Sequence, residues 1–270
     1  MIKVIEHYLQ GKSKVENNCE DGLFINDYYV AVIDGVTSKG KQRWQGYTSG
    51  GYAKEILLDT LASAEPTLTA TQMMELLNDS LAEAYSQEVI EDDLVEWLRA
   101  SIIVYSDFYK EVWVFGDCQC CINNMVYRHD KKIDELLSSL RTLTIESALK
   151  RGDTLISLQE RDKGREAILP FLKLQLDFEN TDYKFGYSVL NGHNIDLKQL
   201  VIYPIKIGDE IILASDGYPK LYRTLEESEA FLKEVLEKDP LCYTIYPSTK
   251  GVVQGYLSYD DRCYVRFEVI

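Results

Sequence analysis

Residues 28–33, Tyr-Tyr-Val-Ala-Val-Ile, are apolar without a break and run straight into Asp34-Gly35. Side chains in a strand alternate between two faces, so an unbroken apolar run has to be covered on both. Residues 23–25 precede it across Asn26-Asp27, a pair suited to a tight turn, and 22–34 reads as a hairpin. Two helical stripes follow, one through Ala53, Ile56, Leu57, Thr60 and Leu61, the other through Met73, Leu76, Leu77, Leu81 and Ala84. Thr69 with Gln72 fits a capping box at the start of the second. Strand patterns return at 101–105, 111–115 and 120–127, as an antiparallel meander, and again at 200–205 and 210–214 around Gly208-Asp209. Between them, 130–178 is helical, with Ile133, Leu136, Leu137, Leu140 and Leu143 in register and Gly152 as a stop, and 182–194 is a loop. A last helix over 225–238 and a closing strand over 263–270 complete the chain. Strands and helices in separate blocks predict an α+β fold of antiparallel sheets with helices outside, in a single domain over 1–270.

The net charge of −15 argues against a nucleic-acid partner, since the nearest thing to a basic footprint is Lys131-Lys132 or Lys12 with Lys14. No run reaches the ~18 apolar residues of a membrane span, and residues 1–7 lack a signal peptide's apolar core. A soluble, cytoplasmic monomer with no membrane partner is expected. Six cysteines in 270 residues do not make a disulfide framework. Cys118, Cys120 and Cys121 have no second pair at zinc spacing and are expected to pack as reduced thiols. His7, His129 and His193 are too dispersed for a histidine-rich metal site.

Acidic residues recur where strands meet turns. Glu20-Asp21 opens the first hairpin and Asp34-Gly35 closes it; Gly116-Asp117 ends 112–115, Asp216-Gly217 follows 211–214, and Asp260-Asp261 precedes the final strand. A single Asp-Gly is commonly just a turn. Several at the ends of buried strands bring carboxylates to one sheet edge, where they repel and need protons or cations. Oxygen ligands of this kind suit Mg²⁺ or Mn²⁺.

In these residues the chain resembles the metal-dependent 2C-type serine/threonine protein phosphatases. Cys19-Glu20-Asp21 resembles the family's Asn-Glu-Asp element, and Val32-Ile33-Asp34-Gly35 its Val-x-Asp-Gly. Val114-Phe115-Gly116-Asp117 resembles the Gly-Asp-Ser-Arg turn, Leu213-Ala214-Ser215-Asp216-Gly217 the Leu-x-Ser-Asp-Gly, and Ser258-Tyr259-Asp260-Asp261 the late Asp-Asp/Asn. The resemblance spans nearly the whole chain. It implies a four-layer α-β-β-α sandwich with a variable helical insert at about 130–178. It also implies two Mg²⁺ or Mn²⁺ ions per site, with a third possible. Asp34 would bridge the two, with the Gly35 carbonyl as a further ligand. Glu20 would serve one metal, with Asp21 holding its waters, and Asp216 and Asp260 the other. Asp117 matches the position that supports the third. A slip of one residue would make Asp261 the late ligand instead of Asp260. Glu20, Asp34 and Asp216 would then carry catalysis, by attack of a metal-bridging hydroxide on phosphorus.

Three departures bear on substrate. The arginine that many members carry four residues before the early glutamate is Glu16 here, which leaves Lys12, Lys14, Lys39 or Arg43 to hold phosphate. The Asp-Gly-x-Gly-Gly loop is replaced by residues 34–40, and Asp117 is followed by Cys118-Gln119 in place of serine and arginine. The expected activity is hydrolysis of phosphoserine and phosphothreonine in proteins. Hydrolysis of a small phosphate ester and a weakly catalytic binding module on the same scaffold are the alternatives.

Overall fold

The computed structural model describes residues 1–14, 18–87 and 94–270. Among the described residues, ten strands form two five-stranded antiparallel sheets. One sheet has the order β2 (Asp21–Ile25), β3 (Tyr29–Gly35), β4 (Ala100–Ser106), β5 (Glu111–Phe115) and β8 (Val201–Pro204). The other runs β1 (Ile2–Gln10), β10 (Arg262–Val269), β9 (Glu210–Ala214), β6 (Gln119–Ile122) and β7 (Met125–Tyr127).

The apolar run in β3 is explained by this arrangement. Val30 and Val32 face the opposing sheet, together with Ile103, Val112, Ile211, Leu213 and Val265. Tyr29, Ala31 and Ile33 point the other way, against Leu57, Leu61, Met73 and Leu77 of the helices α1 (Ser49–Ser63) and α2 (Ala70–Gln87). The expected capping box starts α2: the Thr69 N–H donates to Gln72 Oε1 at 3.0 Å, and the Gln72 N–H donates to Thr69 Oγ1 at 3.3 Å. The outer face of the other sheet is covered by α6 (Leu225–Lys238) through Leu232 and Val235. All six cysteines are free thiols, and Cys118, Cys120 and Cys263 fill the space between the sheets.

Two details differ from the sequence reading. Residues 2–10 form a strand that pairs with β10, with a bulge between Val4 and Glu6 that breaks the alternation. Residues 120–127 are not one strand but the hairpin β6–β7, turned by Asn123 and Asn124 at φ of 50° and 71°.

The stretch expected to be helical at 130–178 contains α3 (Lys132–Lys150), α4 (Leu155–Glu160) and α5 (Lys163–Leu174). Its apolar stripe does not settle on a sheet: Ile133 and Leu137 of α3 pack against Ile168 and Leu172 of α5. Arg141, fully buried, pins this pair in place. Its guanidinium pairs with Asp162 at 2.6 Å and donates to the carbonyls of Cys242 and Ser248 at 3.1 and 3.0 Å. The insert and the 246–260 segment are thereby joined above one end of the sandwich.

Candidate active site

Antiparallel register puts Asp21 directly opposite Asp34, and Asp34 opposite Ser101. Like charges facing each other across a ladder destabilise it, so this end of the sheet is built at some cost. Gly35 lets the chain pass close to the start of α1, since a Cβ there would collide with the Gly50 and Glu20 carbonyls. Gly217 does the same beside the Asp261 carbonyl.

The carboxylates of both sheets meet at a cavity of about 760 Å³, lined by Asp34, Asp117, Asp216 and Asp260 from the sandwich and roofed by α3, α5 and the 246–260 segment. Glu20, Asp21 and Asp261 lie beneath, each 2% exposed. Of the adjacent late pair, Asp260 lines the cavity. The Asp261 carboxylate instead accepts from the backbone N–H groups of Lys12 at 2.6 Å and Glu20 at 3.2 Å.

Lysines divide these acids into two groups. Lys12 Nζ lies 3.1 Å from Glu20, 3.4 Å from Asp260 and 3.0 Å from Asp261. Lys250 pairs with Asp260, and Lys131 pairs with Asp117 at 2.6 Å. Burial alone would raise the Asp260 pKa, but Lys250 and Lys12 hold it down at about 2. Lys131, with the Ser101 hydroxyl, likewise holds Asp117 below its ordinary value against burial. Asp21, Asp34 and Asp216 form the second group, which among the described residues has no basic side chain at ion-pair distance. Burial, then Asp216, Asp21 and Asp117, push Asp34 well above the ordinary carboxylate range. Burial, then Asp260 and Asp117, raise Asp216 to about 7. Asp21 Oδ2 is buried with no hydrogen-bond partner. Among the described residues, no three His, Cys, Asp or Glu side chains converge as a ready-made metal cage. The acids without a lysine still fit a divalent cation chemically, because Mg²⁺ commonly binds through one or two carboxylates and keeps several waters.

The cavity also has a basic side. Lys39, from the loop after β3, and Arg165, from α5, line it beside Lys131 and Lys250. Lys39 donates to the Thr37 carbonyl at 2.8 Å, and Arg165 donates to that of Thr249 at 2.8 Å. Burial, then Arg165, Lys250 and Lys131, lower the Lys39 pKa to about 7. Of the other basic residues named from sequence, Lys12 lines the cavity but is engaged by Glu20, Asp260 and Asp261, whereas Lys14 and Arg43 are exposed and do not line it. Glu16 lies outside the described residues. Arg165 and Lys250 have no sequence signal of their own: each is a single basic residue, on a helix and a loop, brought in by the Arg141 pin. His129 and His193 pack on aromatic rings, His193 on Trp97 with centroids 3.6 Å apart.

No protein-family model and no curated protein matches the sequence. Solved structures do match, and the fold they define is that of the 2C-type, or PPM, serine/threonine phosphatases. One is the catalytic domain of the serine/threonine protein phosphatase PstP with two manganese ions, at a TM-score of 0.52 and 12% identity, with 100% of each chain covered. Another is MsPP, a PPM Ser-Thr phosphatase from Mycobacterium smegmatis with cacodylate, at 0.50 and 13%, covering 99% of this chain and 100% of that one. At these identities the likeness is one of fold.

Proposed function

We propose that this chain is a metal-dependent phosphomonoesterase acting on phosphoserine and phosphothreonine in proteins. The observation that carries the reading is one cavity with two opposite sides: Asp34 and Asp216, without lysine partners, on one, and Lys39 with Arg165 on the other. A cation and an anion held side by side are what hydrolysis of a phosphate ester requires. Asp34, Asp216 and the Gly35 carbonyl would hold the cation, with Asp21 beneath to accept from its waters. When bound, Mg²⁺ or Mn²⁺ supplies an acidified water and a counter-charge for the phosphoryl oxygens. Arg165 and Lys39 orient the phosphoryl group, and the planar guanidinium of Arg165 suits two of its oxygens at once. PstP and MsPP, serine/threonine phosphatases by name, lend support through shared fold.

The same roof favours a second reading, in which the ester is a small molecule enclosed by α3, α5 and Tyr246, Tyr256 and Tyr259. The test is turnover of p-nitrophenyl phosphate with and without Mn²⁺, beside Asp34→Asn, followed by phosphopeptides against small esters. Metal-dependent turnover that drops at least ~10³-fold in the variant is expected. Absence of turnover at any near-neutral pH would overturn the enzyme reading in favour of a binding module.

A further inference from the structure

Lys12 ends the first strand's exit and is anchored by its backbone, its N–H on Asp261 Oδ1 at 2.6 Å and its carbonyl accepting from the Leu257 N–H at 2.8 Å. Its side chain is 16% exposed, and Nζ stands inside a shell of four oxygens. These are Glu20 Oε2 at 3.1 Å, Asp261 Oδ2 at 3.0 Å, Asp260 Oδ1 at 3.4 Å and Thr37 Oγ1 at 3.0 Å. Such a shell is what a cation on the Glu20 side would need, with a carboxylate from each sheet. The remaining Glu20 valences are also taken, since Oε1 accepts from Thr48 Oγ1 at 2.7 Å and Oε2 from the Thr37 hydroxyl.

We propose that the Lys12 ammonium permanently occupies one of the two cation positions, so that the chain takes a single divalent cation, on the Asp34–Asp216 side. The proposal rests on the cation reading of the proposed function and narrows it. An ammonium and a dication cannot share these oxygens: Mg²⁺ sits ~2.1 Å from its ligands, and a second ion would have to expel a lysine whose backbone is fixed on both sides. Glu20, Asp260 and Asp261 share two ammonium groups, Lys12 on all three and Lys250 on Asp260, whereas among the described residues Asp34, Asp21 and Asp216 have no basic side chain at ion-pair distance and are the set that still calls for an ion.

Titration of metal-free protein with Mn²⁺, followed by calorimetry and by electron paramagnetic resonance, tests this independently of turnover. One equivalent bound is expected for the wild type, with the spectrum of an isolated ion. Lys12→Ala is expected to bind two, close enough to couple magnetically, and Lys12→Arg to stay at one. Two coupled ions in the wild type would overturn the inference and leave the phosphatase reading standing. No Mn²⁺ bound by wild type or Lys12→Ala would overturn both. If Lys12→Ala does not fold, the wild-type stoichiometry and spectrum decide alone.

Discussion

At the scale of single residues, Lys39 is a lysine whose proton is held loosely. A lysine in water or in the unfolded chain titrates near ~10.4; burial and its cationic neighbours bring this one to about 7. Its folded form therefore binds fewer protons than its unfolded form between pH 7 and 10, so the charged lysine costs stability below pH 7 and the cost is relieved as pH rises through that window. A bound dianion reverses the balance by favouring the ammonium. Sulfate, which stays a dianion throughout, should consequently bind about tenfold more weakly at pH 8.5 than at pH 6, a difference of one pKa unit in linked protonation. Lys39→Met should weaken binding at pH 6 and flatten the profile. Calorimetry in buffers of different ionisation heat checks this, because wild-type binding at pH 7.5 must take up protons; a flat wild-type profile would remove Lys39 from the anion site. The carboxylates that the sandwich brings to this cavity were legible in sequence for a physical reason: Asp34, Asp117, Asp216 and Asp260 each interrupt or bound an apolar strand, where an acid is expensive, whereas Asp130, Asp134, Glu135 and Asp162 carry no such signal. The lysine partners were not legible. Lys12, Lys131 and Lys250 sit in ordinary polar stretches, and only the fold brings them to Glu20, Asp117 and Asp260.

At the scale of elements, the insert is held over the site by polar contacts. Arg141 joins α3 to the cap of α5, through Asp162, and to the 242–248 loop. Gly164 allows the close approach, because a Cβ there would press on the Arg141 stem at 2.7 Å. Removing the guanidinium takes the donor from the Ser248 carbonyl and from Asp162 Oδ2, while Asp162 Oδ1 still accepts from the Arg165 N–H and the Cys242 carbonyl from the Ser248 N–H. Arg141→Met should cost about 3 kcal/mol, a fall in Tm of roughly 6–12 °C for a chain of this size. If the insert also positions Arg165, KM should rise more than kcat falls. A loss of stability with unchanged KM would mean that the roof does not touch substrate. The helices themselves were readable from their 3.6-residue stripes, and Gly152 stops α3 as expected at φ of 104°. What they pack on was not, since α3 and α5 bury each other's stripes where a sheet would have done as well. β1 carries no clear strand signal in sequence because it is an edge strand, half exposed, and its bulge disrupts the period-two pattern.

At the scale of the whole molecule, the acids that call for a cation come from both halves of the sandwich. Asp21 and Asp34 lie on β2 and β3 of one sheet, and Asp216 follows β9 of the other. Repulsion among them pushes apart the same ends of the sheets that the apolar core holds together along their length. The five acidic elements were recognisable in order along the chain, and with them the two-sheet fold. Which acids would be matched by lysines could not be read, because that depends on contacts such as Lys12 with Asp260, 248 residues apart. A cation on Asp34 and Asp216 should thus act as a clip between the sheets. Mn²⁺ at 100 times its Kd should stabilise the fold by about 2.7 kcal/mol, raising Tm by roughly 5–10 °C, with the increase reversed by a chelator. Asp34→Asn should do two things at once in differential scanning calorimetry. It should raise the Tm of the metal-free protein by a few degrees, because the cost of burying an acid there, whether as a charge or as a forced protonation, is gone, and it should abolish most of the response to Mn²⁺. A variant that is less stable than the wild type without metal would mean that Asp34 is held by interactions other than the cation, and that the clip lies elsewhere.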